Sequence, residues 1–350
     1  MRSHITWQNG ARALVLERFS LNHSTGSSHG RTRIIRSAYF EHEIYVPLVQ
    51  RALRLWTELQ REAGTELFTQ TGGVMIGRAE GPLFSGSRRS ALIHSIPHQV
   101  LTASELSERF PVFRPGDYHV ALFEPGAGIL FPEKCIEAHK TLAEHCGVEF
   151  RFNESVQRWY EKGQKVNVVT SHGEYEGDKL VLAAGAWTSE LLNSVSLPLK
   201  IERQVPFWFK PRENTEAFTA ERMPVFVWED GAEYHYGIPD LGEGVKVAKH
   251  HGGQTALSPN LLGRQVTSDD EIAIRHFLEK CLPWANGIAQ SSSTCLYTNT
   301  PDNHFVLDFH PKNRNVLIVS CCSGHGFKFA SVIGEIAATL TLEGKTEFDT

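Results

Sequence analysis

Asn315-Val316-Leu317-Ile318-Val319-Ser320 reads as a short apolar strand, Ser323-Gly324-His325-Gly326 as a tight turn, and Lys328 onward as an amphipathic helix. Strand, glycine turn and helix in that order point backbone N–H groups at an anion or at the electron-rich edge of a ligand. The same grammar recurs upstream. Lys179-Leu180-Val181-Leu182-Ala183-Ala184-Gly185 is wholly apolar after its lysine and belongs in a buried sheet. Ala13-Leu14-Val15-Leu16 is an apolar run ending at Glu17 and preceded by Asn9-Gly10, so Met1 to Gly10 reads as the last turns of a helix. A helix feeding a buried strand implies a parallel sheet.

Between these strands, Leu48, Ala52, Leu55 and Leu59 line one face of a long helix expected within Glu41 to Ala63 and ended by Gly64. A second helix is expected over Pro132 to Cys146, followed by short strands at 148–151 and 166–169. From Gln204 to Val247 aromatic and β-branched residues alternate with Gly and Pro, which predicts antiparallel strands joined by tight turns. The fold class is therefore mixed α/β, with a β-rich second layer.

The 350 residues, 41% hydrophobic, suffice for one large domain or two interleaved ones. The net charge of −5 is spread over 35 basic and 40 acidic residues without a basic stripe or an acidic tail, which disfavours nucleic acid as a partner. Six scattered cysteines with no C-x-x-C spacing argue for reduced thiols in the cytoplasm and against a zinc site. His250 beside His251 and Cys321 beside Cys322 lack further ligands at metal-binding spacing, so no metal is expected. No uninterrupted apolar run reaches membrane-spanning length, and the first residues lack the apolar core of a signal peptide.

Several residues could carry chemistry. Glu17 ends its strand where a dinucleotide fold places the acid that holds ribose hydroxyls, although any α/β protein has acids at strand ends. In Gly26-Ser27-Ser28-His29-Gly30-Arg31-Thr32-Arg33-Ile34-Ile35-Arg36, Arg33 and Arg36 would share a face if helical and could grip a carboxylate or phosphate. A solvated basic turn fits the same spacing. Strand alternation would put Lys246, Ala248 and His250 on one face, either directed inward or forming an exposed edge. Cys322 near His325 admits a cysteine hydrolase, but no orienting Asn or Asp lies nearby in sequence.

Three blocks taken together are more specific. The segment Gly26 to Arg36, the segment Cys295-Leu296-Tyr297-Thr298-Asn299-Thr300-Pro301-Asp302 with His304 to Asp308, and Ser323 to Phe329 resemble the monomeric sarcosine oxidase and N-methyltryptophan oxidase family in order and spacing. Gly244 to Gln254 and Gly326 to Ala337 look closer to the N-methyltryptophan branch.

The resemblance implies a Rossmann-like FAD-binding domain over 1–61, 131–200 and 293–350, interleaved with an antiparallel β-rich substrate domain over 62–130 and 201–292. It implies a monomeric flavoprotein that oxidises the carbon–nitrogen bond of a secondary amino acid and passes the electrons to O2, giving H2O2. A pipecolate or glycated amino acid oxidase is the alternative within the class. Carried over by motif, Cys295 would bind FAD covalently, while His29 and Arg33 would lie against the flavin ring. Gly324 and Gly326 would direct positive dipole character at its pyrimidine edge, with Lys328 beside it. Glu17 would take the ribose and Val156 the adenine region. Arg36 and Lys328 would hold the substrate carboxylate, Lys246 would face the flavin where oxygen reacts, and Tyr236 and His250 would surround the amine.

The family's first strand and its G-x-G-x-x-G are not found upstream of Glu17, and relatives continue beyond Thr350, so both ends read as clipped. An incomplete reading frame of an ordinary oxidase and a short non-catalytic flavoprotein fragment are the two expectations that follow.

Overall fold

The computed structural model describes residues 11–192 and 195–348 of the chain. The expected helix at Met1 to Gly10 lies outside the described residues. Leu14–Leu16 pairs in parallel with Glu149–Arg151, and Leu180–Leu182 pairs in parallel with Asn313–Ser320. The parallel pairing agrees with the sequence, but Leu14 and Val15 are 37% and 39% exposed, more open than their apolar character predicts. Of the expected strand from Lys179 to Gly185 only Leu180–Leu182 forms, because Gly185 turns left-handed (φ 55°) into a 3-10 turn.

The long helix spans Tyr45–Ala63 and buries Val49, Ala52, Leu55, Trp56 and Leu59. It begins at Tyr45 rather than Glu41, which puts Pro47 in the first turn, where a missing N–H costs no intrahelical bond. Gly64 ends it with φ 62°. This helix packs against Pro132–His145 and Ala330–Glu343. Arg51 donates to Glu335, and Trp56 Nε1 donates to the Lys328 carbonyl at 2.8 Å, tying the long helix to the start of the last one.

The second layer is one eight-stranded sheet. Its order is Ala289–Ser292, Phe207–Phe209, Val245–His250, Glu233–Ile238, Val225–Asp230, Gly73–Arg78, His119–Glu124 and Gln99–Thr102. All neighbours are antiparallel except Val225–Asp230 with Gly73–Arg78, which run parallel. The Gln204 to Val247 strands thus join a sheet completed by strands from 73–124. One apolar core lies among the helices and a second, rich in Phe and Trp, on the far side of this sheet. Among the described residues no helix is long and apolar enough to cross a membrane.

Arg33 and Arg36 are not helical. Arg33–Ile35 is a strand paired antiparallel with Gly128–Leu130, and Arg36 follows it directly. Three residues along an extended chain reverse the side-chain direction, so the two guanidinium groups serve different neighbourhoods.

Candidate active site

Lys246 lies where the two layers meet. Val245-Lys246-Val247-Ala248 alternates as expected, and Lys246 turns inward, 2% exposed. Its ammonium donates to the carbonyls of Gly30 (2.7 Å) and Thr32 (3.0 Å) and to Thr32 Oγ1 (3.3 Å), 5.0 Å from the centre of the Trp208 ring. Those oxygens satisfy its three N–H groups. Burial, with Arg33 nearby, still holds its pKa well below the usual lysine value. The loop can present its carbonyls this way because Gly30 and Arg31 both take left-handed backbone (φ 95° and 67°).

Arg33 is spread over the same loop. It donates to the carbonyls of Ser27 (2.7 Å), His29 (2.6 Å) and Thr32 (2.8 Å), and it lies 3.7 Å from Cys295 Sγ. His29 meets Ser293 Oγ at 3.4 Å, but its buried Nε2 has no partner among the described residues. Burial and the Arg33 charge depress its pKa to about 4, so the ring is neutral at pH 7.

A third group surrounds Tyr39, which is wholly buried. Arg36 binds both oxygens of Glu41 at 2.8 Å, donates to the Ala38 carbonyl at 3.0 Å, and lies 4.5 Å from the Tyr39 ring centre. Lys328 donates to the His325 carbonyl (2.8 Å) and to Tyr39 Oη (3.5 Å). Burial and the Arg36 charge lower its pKa to about 7. Glu41, facing Arg36, His325 and Lys328, is held below the ordinary carboxylate range despite its burial. Arg36 thus pairs with a carboxylate, whereas the hydrogen bonds of Lys328 go to uncharged oxygens, which leaves it to meet a further negative charge. Buried Glu124 accepts from the backbone N–H groups of Ser37 (2.8 Å) and Ala38 (2.8 Å), fixing the turn that follows Arg36.

Tyr236 and His250 lie on neighbouring strands of the same sheet, their ring centroids 6.3 Å apart. Tyr236 is pushed up to about 12 by burial, with Arg33 and Cys295 nearby, and His250 Nδ1 meets Tyr297 Oη at 3.2 Å. Burial and the neighbouring His251 hold His250 well below the usual histidine value. Gly324 (φ 75°) sits against Tyr297 and His251: an added Cβ would lie 2.7 Å from Tyr297 Cε2. At Gly326 it would lie 1.9 Å from the Cys321 carbonyl oxygen, so the turn before the last helix closes only with glycine.

Glu17 and Val156 sit together at the other end. Glu17 follows its strand, accepts from the Phe19 N–H at 2.9 Å and lies 3.7 Å from His23 Nε2, while its carbonyl receives the Glu154 N–H at 2.9 Å. Val156 begins the strand Val156–Lys162, two residues beyond Glu154.

The hydrolase alternative fails. His325 Nδ1 meets Tyr39 Oη (2.5 Å) and Nε2 meets the Asn303 carbonyl (3.0 Å), so neither nitrogen serves Cys322, whose thiol burial pushes up to about 11. Among the described residues no group of three or more His, Cys, Asp or Glu is placed to hold a metal ion.

The geometry also holds residues that the sequence reading missed. Tyr297 was within reach, since it lies two positions after Cys295 in the same block. Tyr39, Glu41 and Glu124 carried no signal, because their roles depend on a turn and a cross-layer contact.

This donor set fits a large anionic ring system: an unpartnered buried imidazole, two buried ammonium groups, a guanidinium beside a thiol, and a glycine turn into a helix. The family model for FAD dependent oxidoreductases matches residues 4–340. The chain is 40% identical to a monomeric sarcosine oxidase of Streptomyces avermitilis, covering 98% of this chain and 91% of that one. It is 40% identical to a monomeric sarcosine oxidase of Bacillus sp. strain NS-129 (98% and 89% covered) and 35% identical to an N-methyl-L-tryptophan oxidase of Salmonella enteritidis (97% and 91%). These identities do not favour the N-methyltryptophan branch expected from the glycine-flanked segments. Among solved structures, NikD, an unusual amino acid oxidase essential for nikkomycin biosynthesis, superposes with a TM-score of 0.86 at 23% identity, covering 99% of this chain and 92% of that one. The L-proline dehydrogenase of P. horikoshii gives 0.84 at 20% identity (99% and 91%); at such identities the likeness is one of fold. With the match running almost from end to end and the pocket chemistry agreeing with it, the chain belongs to the FAD dependent oxidoreductase family, beside the monomeric sarcosine oxidases and N-methyl-L-tryptophan oxidases.

Proposed function

We propose that this FAD-dependent enzyme oxidises a secondary N-methyl amino acid such as sarcosine or N-methyltryptophan at its carbon–nitrogen bond. The imine product takes up water and releases the demethylated amino acid and an aldehyde, while O2 takes up the two electrons and two protons as H2O2. The observation that carries the reading is the juxtaposition of Arg36 and Lys328 around Tyr39 with Tyr236 and His250 across from them. An α-amino acid offers one carboxylate to the first pair and one amine to the second.

FAD supplies the two-electron acceptor; the residues of the chain do the rest. In this reading Arg36 and Lys328 neutralise the carboxylate in a shielded pocket, where charge-assisted hydrogen bonds are strongest. His250, kept neutral by its surroundings, and Tyr236, kept a neutral phenol, would flank the amine, with the imidazole accepting a hydrogen bond from it. Lys246, fixed by the Gly30 and Thr32 carbonyls, would present its amine N–H groups where oxygen is reduced. Glu17 and Val156 would hold the adenosine half, and His29, Arg33, Gly324 and Gly326 the ring. Cys295 would form a thioether to the cofactor, a role supported by its burial beside the Arg33 guanidinium, 3.7 Å from the sulfur.

The cofactor parts are 1–61, 131–200 and 293–350, and the substrate parts are 62–130 and 201–292. We place the enzyme as a monomer in the cytoplasm, in keeping with six free cysteines. The test is the visible spectrum of purified protein, followed by acid precipitation. Yellow colour staying in the pellet of wild type and moving to the supernatant for Cys295→Ala is the expected result. Colour released from wild type would overturn the covalent link, and a flavin-loaded protein giving no peroxide with any secondary amino acid would overturn the activity.

A further inference from the structure

The face of the sheet that carries Lys246 does not end at His250. In the pairing of Glu233–Ile238 with Val245–His250, Ile238 lies opposite Lys246, Tyr236 opposite Ala248 and Tyr234 opposite His250. Directly opposed residues share a face of the pleat, so Tyr234 is the outermost rung of the ladder that holds Tyr236 and His250, about 13 Å along the strand from the Lys246 end. Tyr234 is partly exposed, whereas Lys246 is fully covered, so the ladder runs from buried site to mouth.

The opposite wall is the turn after Arg36. It carries Phe40, also partly exposed, whose ring lies 4.8 Å below the Arg36 guanidinium and stacks on Tyr234 with centroids 5.5 Å apart and planes 24° apart. Phe40 and Tyr234 therefore bridge the element that anchors the carboxylate and the strand that flanks the amine. A third ring slipped between two stacked rings needs about 7 Å between their planes, twice the carbon–carbon contact distance. The observed separation leaves no such space.

We infer that the Phe40–Tyr234 stack sets substrate specificity by closing the side-chain end of the pocket, so that the enzyme takes small N-methyl amino acids of the sarcosine class and rejects those with aromatic side chains. The inference rests on the function proposed above and narrows it. Tyr234 and Phe40 act by exclusion: they bound the volume left once Arg36, Lys328, Tyr236 and His250 have taken the carboxylate and the amine.

The test compares wild type with Phe40→Ala and Tyr234→Val, variants on two separate elements, so that failure of one to fold leaves the other. Two ratios are read. One is kcat/KM for N-methyltryptophan over sarcosine, by peroxide release. The other is the Kd of methoxyacetate over that of indole-3-acetate, by isothermal titration calorimetry on flavin-loaded protein, which needs no turnover. Wild type should favor the small partner in both, and each folded variant should shift both ratios at least about tenfold toward the indole compound, a size typical of relieving one steric exclusion in an apolar pocket. Unchanged ratios in the folded variants, or a wild type that handles the indole compounds as well as the small ones, would overturn the inference. A flavin-loaded wild type without peroxide from either substrate sinks the activity instead, and the calorimetric ratio still decides the role of the stack.

Discussion

Lys328 offers a quantitative test of the carboxylate anchor. Burial, followed by the Arg36 charge, lowers its pKa to about 7, so about half of the ligand-free protein carries a neutral Lys328 at pH 7. A bound carboxylate favours the ammonium form, so binding must take up a proton wherever Lys328 starts neutral. The affinity of a carboxylate that does not itself titrate, such as methoxyacetate, should weaken about tenfold for each pH unit above 7. The weakening should level off once Arg36 alone holds the ligand. Losing one buried charged hydrogen bond costs about 2 to 3 kcal/mol, which places the plateau about 30- to 150-fold above the low-pH Kd.

The other charged groups facing Lys328 stay constant over this window. Arg36 remains protonated, Glu41 is held below its ordinary range, Tyr39 is pushed well above its own, and His325 is neutral with a pKa of about 4. Calorimetric titrations from pH 6 to 9 in two buffers of different ionisation enthalpy give both the Kd and the proton uptake. Lys328→Met should bind weakly at every pH and take up no proton. A wild-type Kd that stays flat from pH 6 to 9, or uptake that persists in Lys328→Met, would refute the assignment of Lys328 to the anchor.

Acid stability should follow the buried histidines. His29, His235 and His325 have pKa values lowered to about 4 in the fold against 6.5 when unfolded. The unfolded chain thus binds more protons between these limits, and stability is full above pH 6.5 and lost as pH falls toward 4, by up to about 3 kcal/mol per histidine. His235 stacks on Phe277 at 4.1 Å and has an unpartnered Nδ1, so His235→Phe should shrink the loss of unfolding free energy between pH 7.5 and 5 by about 2 kcal/mol; an unaltered loss would count against it. At the glycine turn, Gly326→Ala must push a methyl group into the Cys321 carbonyl and should destabilise by about 2 kcal/mol or more, with loss of bound flavin. Gly344→Ala, with open space around it and φ 74°, should cost only about 1 kcal/mol and keep the flavin, and equal effects of the two in thermal melts would show that crowding at Gly326 is unimportant.

Local pattern reached far into this protein. The apolar runs at 180–182 and 316–319, the helix closed by Gly64 and the alternation that groups Lys246 with Ala248 and His250 all depend on neighbours within a few residues. Periodicity records such choices because one buried face imposes a repeat of two or of 3.6 residues. The block around Cys295 contains Tyr297, but nothing within it signals the contact with His250.

What pattern could not reach arises from chain segments far apart in sequence. Arg33 and Arg36 look like a helical pair, yet tertiary pairing with Gly128–Leu130 draws the first into a strand and sends the second toward Glu41. Glu124 holds the Ser37–Ala38 turn from another layer, 86 to 87 positions away, and Phe40 stacks on Tyr234 of a distant strand. The amino-acid sequence by itself determined most element types, the family and the face that Lys246 shares with Ala248 and His250. Only the tertiary structure decided which charge faces which and how large a space they enclose, because electrostatic pairing and excluded volume depend on distances in space that no sequence spacing encodes.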